Sequence, residues 1–244
     1  MAETYYCPHD LPRFAEMGKE RPELWAKFLD YYNAVFADGA LTAREKALIA
    51  LGVAHALGPD HTTMLIVDIG GGSTEFTAFE QGGVTGYVSL PIGVVKLTEA
   101  HLKGDPPSRE EIQSATTSIR QSIRQVPPSL NIPPAAILVA TAGTPTTLAA
   151  IDLGMTTYDG ERVTGHRLSR KRIQELLDHL CSLPLRRRRE IAGLESARAD
   201  VILSGTLLTR EILDLLSFDE LTVSDGGLRE GLLLHHLAHR RSNS

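Results

Sequence analysis

The segment 68–75, DIGGGSTE, constrains the fold of this chain more than any other feature. It follows the apolar run 64–67, MLIV, which predicts a short buried strand. Three consecutive glycines at 70–72 carry no Cβ atoms, so their backbone N–H groups can approach an anion closely and adopt positive φ. The segment therefore predicts a phosphate-binding loop between two strands. A simple glycine-rich hairpin turn is the alternative.

Two carboxylates flank this loop. Asp68 stands at the end of the predicted strand, and Glu75 follows the loop. A carboxylate beside phosphate is repulsive unless a divalent cation, or a water that is about to lose a proton, lies between them. The pair therefore favours hydrolysis or transfer at phosphorus.

Further sequence blocks follow in a fixed order. They are SLPIGVVKLTE (89–99), VATAGTPTTLAA (139–150), TGHRL (164–168), ADVILSG (199–205) and LTVSDGGLREG (221–231). In this order and at these separations the blocks closely resemble the Ppx/GppA family of exopolyphosphatases and guanosine pentaphosphate phosphatases, over about residues 63 to 236. The resemblance implies an actin-like ATPase-superfamily fold. In that fold two ribonuclease-H-like α/β domains, each with a mixed sheet and flanking helices, face each other across a phosphate cleft, and this chain carries the second.

The resemblance also implies a site. Asp68 and Glu75 match the family's catalytic carboxylates and would hold Mg²⁺. The implied phosphate-binding residues are Gly70, Gly71, Gly72, Ser73, Gly143, Thr144, Asp225, Gly226 and Gly227. The implied reaction is attack of water on a terminal phosphoryl group of polyphosphate or guanosine pentaphosphate.

The chain departs from the family pattern before residue 63. Family members have a first phosphate loop and a glutamate base upstream, and neither is recognisable here; Glu45 is the nearest acidic residue in a comparable position. An incomplete cleft would impair catalysis. A non-catalytic phosphate- or nucleotide-binding module is therefore a second hypothesis, and it predicts a large apolar surface on the side of the sheet where the first domain docks.

Residues 1–57 resemble the carboxymuconolactone decarboxylase and AhpD-like family. That family's redox members continue into a Cys-x-x-Cys pair, but this chain has GPDHTT at 58–63, so no dithiol can form. The expected organisation is a helical segment over 1–60 and a phosphatase-like domain over 61–240, with the helices either packed loosely on that domain or filling part of its vacant cleft face. A decarboxylase-like protein is a third hypothesis, and an artificial junction of two sequences would also produce this pattern.

Composition excludes several function classes. A formal net charge of −5 across 244 residues gives no general attraction to nucleic acid or to an anionic membrane. Two distant cysteines, Cys7 and Cys181, form neither a disulfide framework nor a zinc set. No apolar run approaches the length of a membrane span. We expect a cytoplasmic protein whose partners are polyphosphate or guanosine pentaphosphate, and a homodimer is left open.

The hydrophobic periodicity predicts the main elements. The predicted strands are 64–68, 74–80, 84–90, 135–141 and 220–224, and the predicted helices are 93–103, 109–125, 144–153, 170–182, 197–216 and 226–239. Three further groups could touch a ligand, although a structural role explains each of them as well. These groups are the arginines at 186–189, the pair His166 and Arg167, and the histidines at 235, 236 and 239.

Overall fold

The computed structural model describes residues 43–58, 61–126, 130–227 and 230–231. Within them, no helix combines the length and the apolar character that a membrane span requires.

The first half of the sheet is an antiparallel meander. Strands β1 (Thr63–Ile69), β2 (Thr74–Glu80) and β3 (Gly83–Leu90) pair in sequence, as predicted. The turn between β2 and β3 places Gln81 at φ 50° and Gly82 at φ 86°. Two successive positive φ values suit a two-residue hairpin, because that turn matches the right-handed twist of the strands.

The second half of the sheet is mostly parallel. Strand β4 (Ile137–Thr141) lies parallel to β1, and β6 (Glu220–Val223) lies parallel to β4. A three-residue strand, β5 (Arg167–Ser169), pairs antiparallel with β6, so the sheet order is β3-β2-β1-β4-β6-β5. The mixed α/β sheet is as predicted, whereas β5 is too short to show an alternating pattern.

The helices cover both faces of the sheet. They are α1 (Ala43–Leu57), α2 (Val94–His101), α3 (Arg109–Ile123), α4 (Gly143–Asp152), α5 (Gly160–Val163), α6 (Arg170–Ser182), α7 (Leu185–Arg188) and α8 (Ile202–Leu215), with a 3₁₀ turn at Ser196–Arg198. Ser169 caps α6, because its hydroxyl accepts a hydrogen bond from the Arg172 N–H at 3.1 Å. The predicted helix at 197–216 begins only at Ile202. Most of the predicted helix 226–239 lies outside the described residues.

Two apolar clusters cover opposite faces of the sheet. Leu65 and Val67 of β1 belong to the larger cluster, whereas Met64 and Ile66 belong to a smaller one with Ile49 and other residues of α1. Successive side chains in a strand point to opposite faces, so both faces of β1 are buried. By the same alternation, Asp68 lies on the face that α1 covers.

Helix α1 is part of this core, so the expected loose packing of the N-terminal segment is wrong for residues 43–57. Ala50 and Val53 are fully buried. Gly52 lies directly against the backbone carbonyl of Gly227, where any added Cβ would clash. The division of the chain near residue 60 stays a prediction, but α1 and the sheet share one apolar cluster.

Candidate functional site

The candidate site lies where the three parallel strands end. Asp68 of β1 is the register partner of Thr141 of β4, and Asp225 follows β6 by two residues. The carboxyl ends of parallel strands meet at one edge of a sheet, and ligands of open α/β folds bind in the crevice outside that edge. A cleft of about 450 Å³ occupies this position.

The cleft brings together four of the residues predicted from the sequence and several others. The predicted residues that line it are Asp68, Gly143, Asp225 and Gly227. The others include Ala142, Tyr158, Glu195, Arg198 and Glu230. The remaining predicted residues, which do not line the cleft, are Gly70, Gly71, Gly72, Ser73, Glu75, Thr144 and Gly226.

A polar row crosses four strands beside the cleft. It consists of Thr141, Asp68, Glu75 and Ser89, each the register partner of the next. The Ser89 hydroxyl donates a hydrogen bond of 2.8 Å to Glu75 Oε1, and Glu75 is buried. Burial, with a smaller contribution from the Glu75 charge, raises the pKa of Asp68 to about 6. Asp68 is therefore a carboxylate that can exchange a proton close to neutral pH.

The glycine loop is held by its own backbone and by α2. The Gly70 N–H donates to the Ser73 carbonyl at 3.0 Å, and the carbonyls of Gly70 and Gly71 accept from the N–H groups of Val94 and Val95 at 3.0 and 2.9 Å. The expectation of positive φ at these glycines is wrong, because the glycines with φ in the left-handed region lie elsewhere in the described chain. A Cβ on Gly70 would lie 3.0 Å from the Ser73 carbonyl oxygen, and a Cβ on Gly93 would clash with the Gly71 backbone, so the loop packs closely on the start of α2.

The start of α4 forms a second wall of the cleft. Ala142 caps this helix with φ 73° and ψ −168°, a conformation that is nearly restricted to glycine. The Thr147 hydroxyl donates to the Gly143 carbonyl at 2.7 Å and holds this turn. The first N–H groups of an α-helix have no intrahelical acceptor and attract anions. The buried side chain of Thr144 instead packs on Gly205 of α8, outside the cleft.

Arg198 is a cation at the same wall, and the sequence analysis missed it. Its guanidinium lies where a side chain on Gly143 would be, since a Cβ there would be 2.8 Å from Arg198 Cζ. Its Nε donates to Glu195 Oε2 at 2.9 Å. The sequence places Arg198 inside the predicted helix 197–216, and only the later start of α8 puts it in a turn beside the cleft.

The segment Asp225-Gly226-Gly227 joins the cleft to α1. The Gly226 carbonyl accepts from Thr141 Oγ1 at 3.0 Å, and a Cβ on Gly226 would lie 2.8 Å from the Gly52 carbonyl oxygen. The Tyr158 hydroxyl donates to Asp225 Oδ1 at 2.7 Å. Glycine is needed here because α1 approaches closely, and Asp225 is left as the side chain that faces the cleft.

Two other groups from the sequence analysis have structural partners outside the cleft. Arg188 is buried and donates to Asp105 Oδ1 at 3.1 Å, and Arg187 is exposed and pairs with Glu190. His166 Nε2 and Asp152 Oδ2 are 2.7 Å apart, and Arg167 pairs with Glu220. The histidines at 235, 236 and 239 lie outside the described residues.

The polar row has donors that suit Mg²⁺. Within the described ranges no cluster of three or more His, Cys, Asp or Glu residues forms a complete metal site. Magnesium, however, is commonly bound through one or two carboxylates together with substrate phosphate oxygens and water. Asp68 and Glu75 provide two such carboxylates on adjacent strands, and the predicted Mg²⁺ site fits this chemistry.

This combination of fold and site is matched by known proteins. The model of the Ppx/GppA phosphatase family matches residues 41–240, and the chain therefore belongs to that family. Exopolyphosphatase 2 from Mycobacterium tuberculosis is 33% identical over 196 residues, which cover 79% of this chain and 61% of the relative. A guanosine-5'-triphosphate,3'-diphosphate pyrophosphatase from Vibrio parahaemolyticus is 33% identical over 202 residues, which cover 82% of this chain and 38% of the relative.

Solved structures agree with the fold. A Ppx/GppA family member from Aquifex aeolicus aligns with TM-score 0.74 and 34% identity, covering 81% of this chain and 63% of that one. The chain thus spans about six tenths of the length of the Mycobacterium and Aquifex relatives and 38% of the Vibrio relative. The resemblance of residues 1–57 to the AhpD-like family gains no support, and the family match begins at residue 41, inside that segment.

Proposed function

We propose that this chain forms one side of the active cleft of a phosphoanhydride hydrolase, acting on terminal phosphate of polyphosphate or guanosine pentaphosphate. The observation that carries the proposal is the position of Asp68, whose pKa is raised, in one cleft with Arg198 and the start of α4. Two relatives carry the names of enzymes acting on these two substrates. An anion site and a half-buried acid in one cleft suit hydrolysis at phosphorus.

The anion would lie at the α4 wall. Arg198 supplies a fixed positive charge, and the N–H groups around Gly143 supply dipoles that point toward the cleft. The other ionisable groups lining the cleft, Asp68, Glu195, Asp225 and Glu230, are acidic. Binding of a polyanion therefore depends strongly on Arg198 and on a cation at the opposite wall.

Asp68 would act as the general base. Water attacks the terminal phosphorus, the anhydride P–O bond breaks, and the carboxylate accepts the proton that the water loses. A base works best when its pKa lies near the working pH, and about 6 meets this condition. Mg²⁺ bound near Asp68 and Glu75 would neutralise the charge that develops on the leaving oxygen.

The non-catalytic hypothesis predicted a large apolar surface beside the sheet. In the described part of the chain the exposed large hydrophobic side chains are Leu51, Tyr87 and Tyr158, which lie on α1, on β3 and beside the cleft. Single exposed side chains of this kind are ordinary for a protein surface. Three such side chains do not make the large apolar surface that the binding-module hypothesis predicts.

The test is phosphate release by the purified chain. Tripolyphosphate and guanosine pentaphosphate are supplied with and without Mg²⁺, and the parent is compared with Asp68→Asn. We expect Mg²⁺-dependent release that falls at least about tenfold in the variant, equivalent to about 1.4 kcal/mol in the barrier. Glu80→Gln is the matched control, because Glu80 is an exposed carboxylate at the far end of β2. No release from either substrate, or equal loss in both variants, would refute the proposal.

A further inference from the structure

Tyr158 joins two cavities through Asp225. Both residues line the 450 Å³ cleft and also a larger open cavity of about 1140 Å³ on the other side. The Tyr158 hydroxyl donates to Asp225 Oδ1 at 2.7 Å, and Tyr158 is 52% exposed. A large aromatic side chain that remains half exposed while it holds a carboxylate contributes little to a core, so its hydrogen bond is the main structural effect.

Two more contacts on Asp225 come from the same segment, residues 158–164. The other carboxylate oxygen, Oδ2, lies directly against the Cα of Gly160, where any side chain would displace it. The Asp225 N–H donates to Thr164 Oγ1 at 3.1 Å. The segment begins six residues after α4 and ends three residues before β5. It therefore contacts the Asp225 backbone and both carboxylate oxygens.

The environment of Tyr158 agrees with this arrangement. Partial burial, followed by the hydrogen bond to Asp225, raises the pKa of Tyr158 above its ordinary value. The hydroxyl thus stays protonated and remains a hydrogen-bond donor throughout the physiological pH range.

We propose that Tyr158 is a positioning residue that, with Gly160, fixes the Asp225 carboxylate in the phosphate cleft. Asp225 then faces the reacting phosphate in one orientation, with Oδ1 and Oδ2 both restrained. The inference rests on the proposed hydrolase function, because the reaction is what makes the orientation of Asp225 matter. It adds to that function a pair of residues that act through Asp225 without contacting the substrate.

A double-mutant cycle tests this role. Tyr158→Phe keeps the ring and removes the donor, and we expect kcat to fall about tenfold while KM changes less than about twofold. In an Asp225→Ala background the same substitution has no carboxylate left to position, and its effect should fall below about twofold. Gly160→Ala should reproduce the loss of kcat. Tyr87→Phe, on the exposed face of β3, is the control and should leave kcat unchanged.

The outcomes separate the two proposals. Equal effects of Tyr158→Phe with and without Asp225, or no effect at all, would overturn the positioning role. If the parent releases no phosphate, the proposed function fails, and the contact is tested by ultraviolet titration of the tyrosines. The number of tyrosines that ionise with the ordinary pKa of about 10 should be larger by one in Asp225→Ala than in the parent. Comparison with Tyr158→Phe, which lacks this hydroxyl, then identifies the additional tyrosine as Tyr158. Identical titrations would exclude the contact.

Discussion

The two walls of the cleft have opposite electrostatic character. The sheet wall consists of Thr141 and Asp68, and Glu75 and Ser89 continue this polar row beside the cleft. Glu75 is buried and the neighbouring Asp68 is half-buried. The α4 wall, with Gly143 and Arg198, presents a cation and helix dipoles that are open to solvent. In the sheet wall, the charge of Asp68 beside Glu75 is unfavourable for folding. In the α4 wall, the charge of Arg198 has no such cost. The proposed reaction thus depends on Asp68, which lowers the stability of the fold, and on Arg198, which changes that stability little.

The largest effect is expected at the α4 wall. Arg198→Ala should weaken tripolyphosphate binding about tenfold to a hundredfold, because a hydrogen bond to a charged group is worth about 1.5–3 kcal/mol. The free energy of unfolding should change by less than about 0.5 kcal/mol, since the ion pair with Glu195 is exposed. Calorimetric titration and denaturant unfolding measure the two quantities.

Arg187→Ala is the matched control for this variant. Arg187 is also exposed and also pairs with a glutamate three residues away, Glu190, but it does not line the cleft. Equal binding by the Arg198 variant and this control would remove Arg198 from the anion site.

The sheet wall should respond in the opposite way. The pKa of folded Asp68, about 6, lies above the ordinary value of 3.8 for this carboxyl, so the folded state binds more protons between these two values. Stability contributed by protonated Asp68 is therefore lost as pH rises through 6. Asp68→Asn removes this loss and should stabilise the protein at pH 7 by about 1–3 kcal/mol.

Denaturant unfolding at two pH values measures whether Asp68→Asn raises or lowers the free energy of unfolding. The stabilisation should disappear below about pH 4, where Asp68 is protonated in both folded and unfolded states. Glu80→Gln, at an exposed position, should shift the unfolding free energy by less than about 0.5 kcal/mol at either pH. A destabilised Asp68→Asn variant at pH 7 would contradict the unfavourable environment assigned to Asp68.

A smaller effect is expected at the cap of α4. Ala142 has a positive φ with ψ −168°, which costs a non-glycine residue about 1–3 kcal/mol. Ala142→Gly removes this strain but adds backbone entropy to the unfolded state, so we expect a net stabilisation of about 1 kcal/mol. Thermal unfolding of Ala142→Gly measures this stabilisation. Ala136→Gly is the control, because Ala136 is a loop residue without such strain. Destabilisation equal to that of the control would mean that Ala142 is not strained.

The local elements were readable from the sequence. The run MLIV at 64–67 predicts β1, and the position of Asp68 at a strand end follows from it. Its pairing with Glu75 also follows, because an antiparallel register around a short loop brings residues on either side of that loop together. Here the local pattern and the fold agree.

The contacts between residues far apart in the sequence could not be predicted from it. Arg198 reaches Gly143 across 55 positions only because α8 begins at Ile202, and helix boundaries are poorly determined by periodicity. Tyr158 reaches Asp225 from a segment without a regular pattern. The sequence predicts that Gly52 belongs to a separate helical segment. In the structure, the absence of a side chain at Gly52 allows α1 to pack directly against Gly227. These contacts depend on tertiary packing, which leaves no periodic signal in the sequence.

The central claim is that burial and Glu75 place Asp68 in the range needed for proton transfer. The most direct measurement is the titration of the Asp68 side chain, followed by NMR in the metal-free parent and in metal-free Glu75→Gln. We predict a midpoint near pH 6 in the parent. The variant, which lacks the Glu75 charge, should titrate at a lower pH. A midpoint near the ordinary value of 3.8 in the parent, or an unchanged midpoint in the variant, would contradict the account.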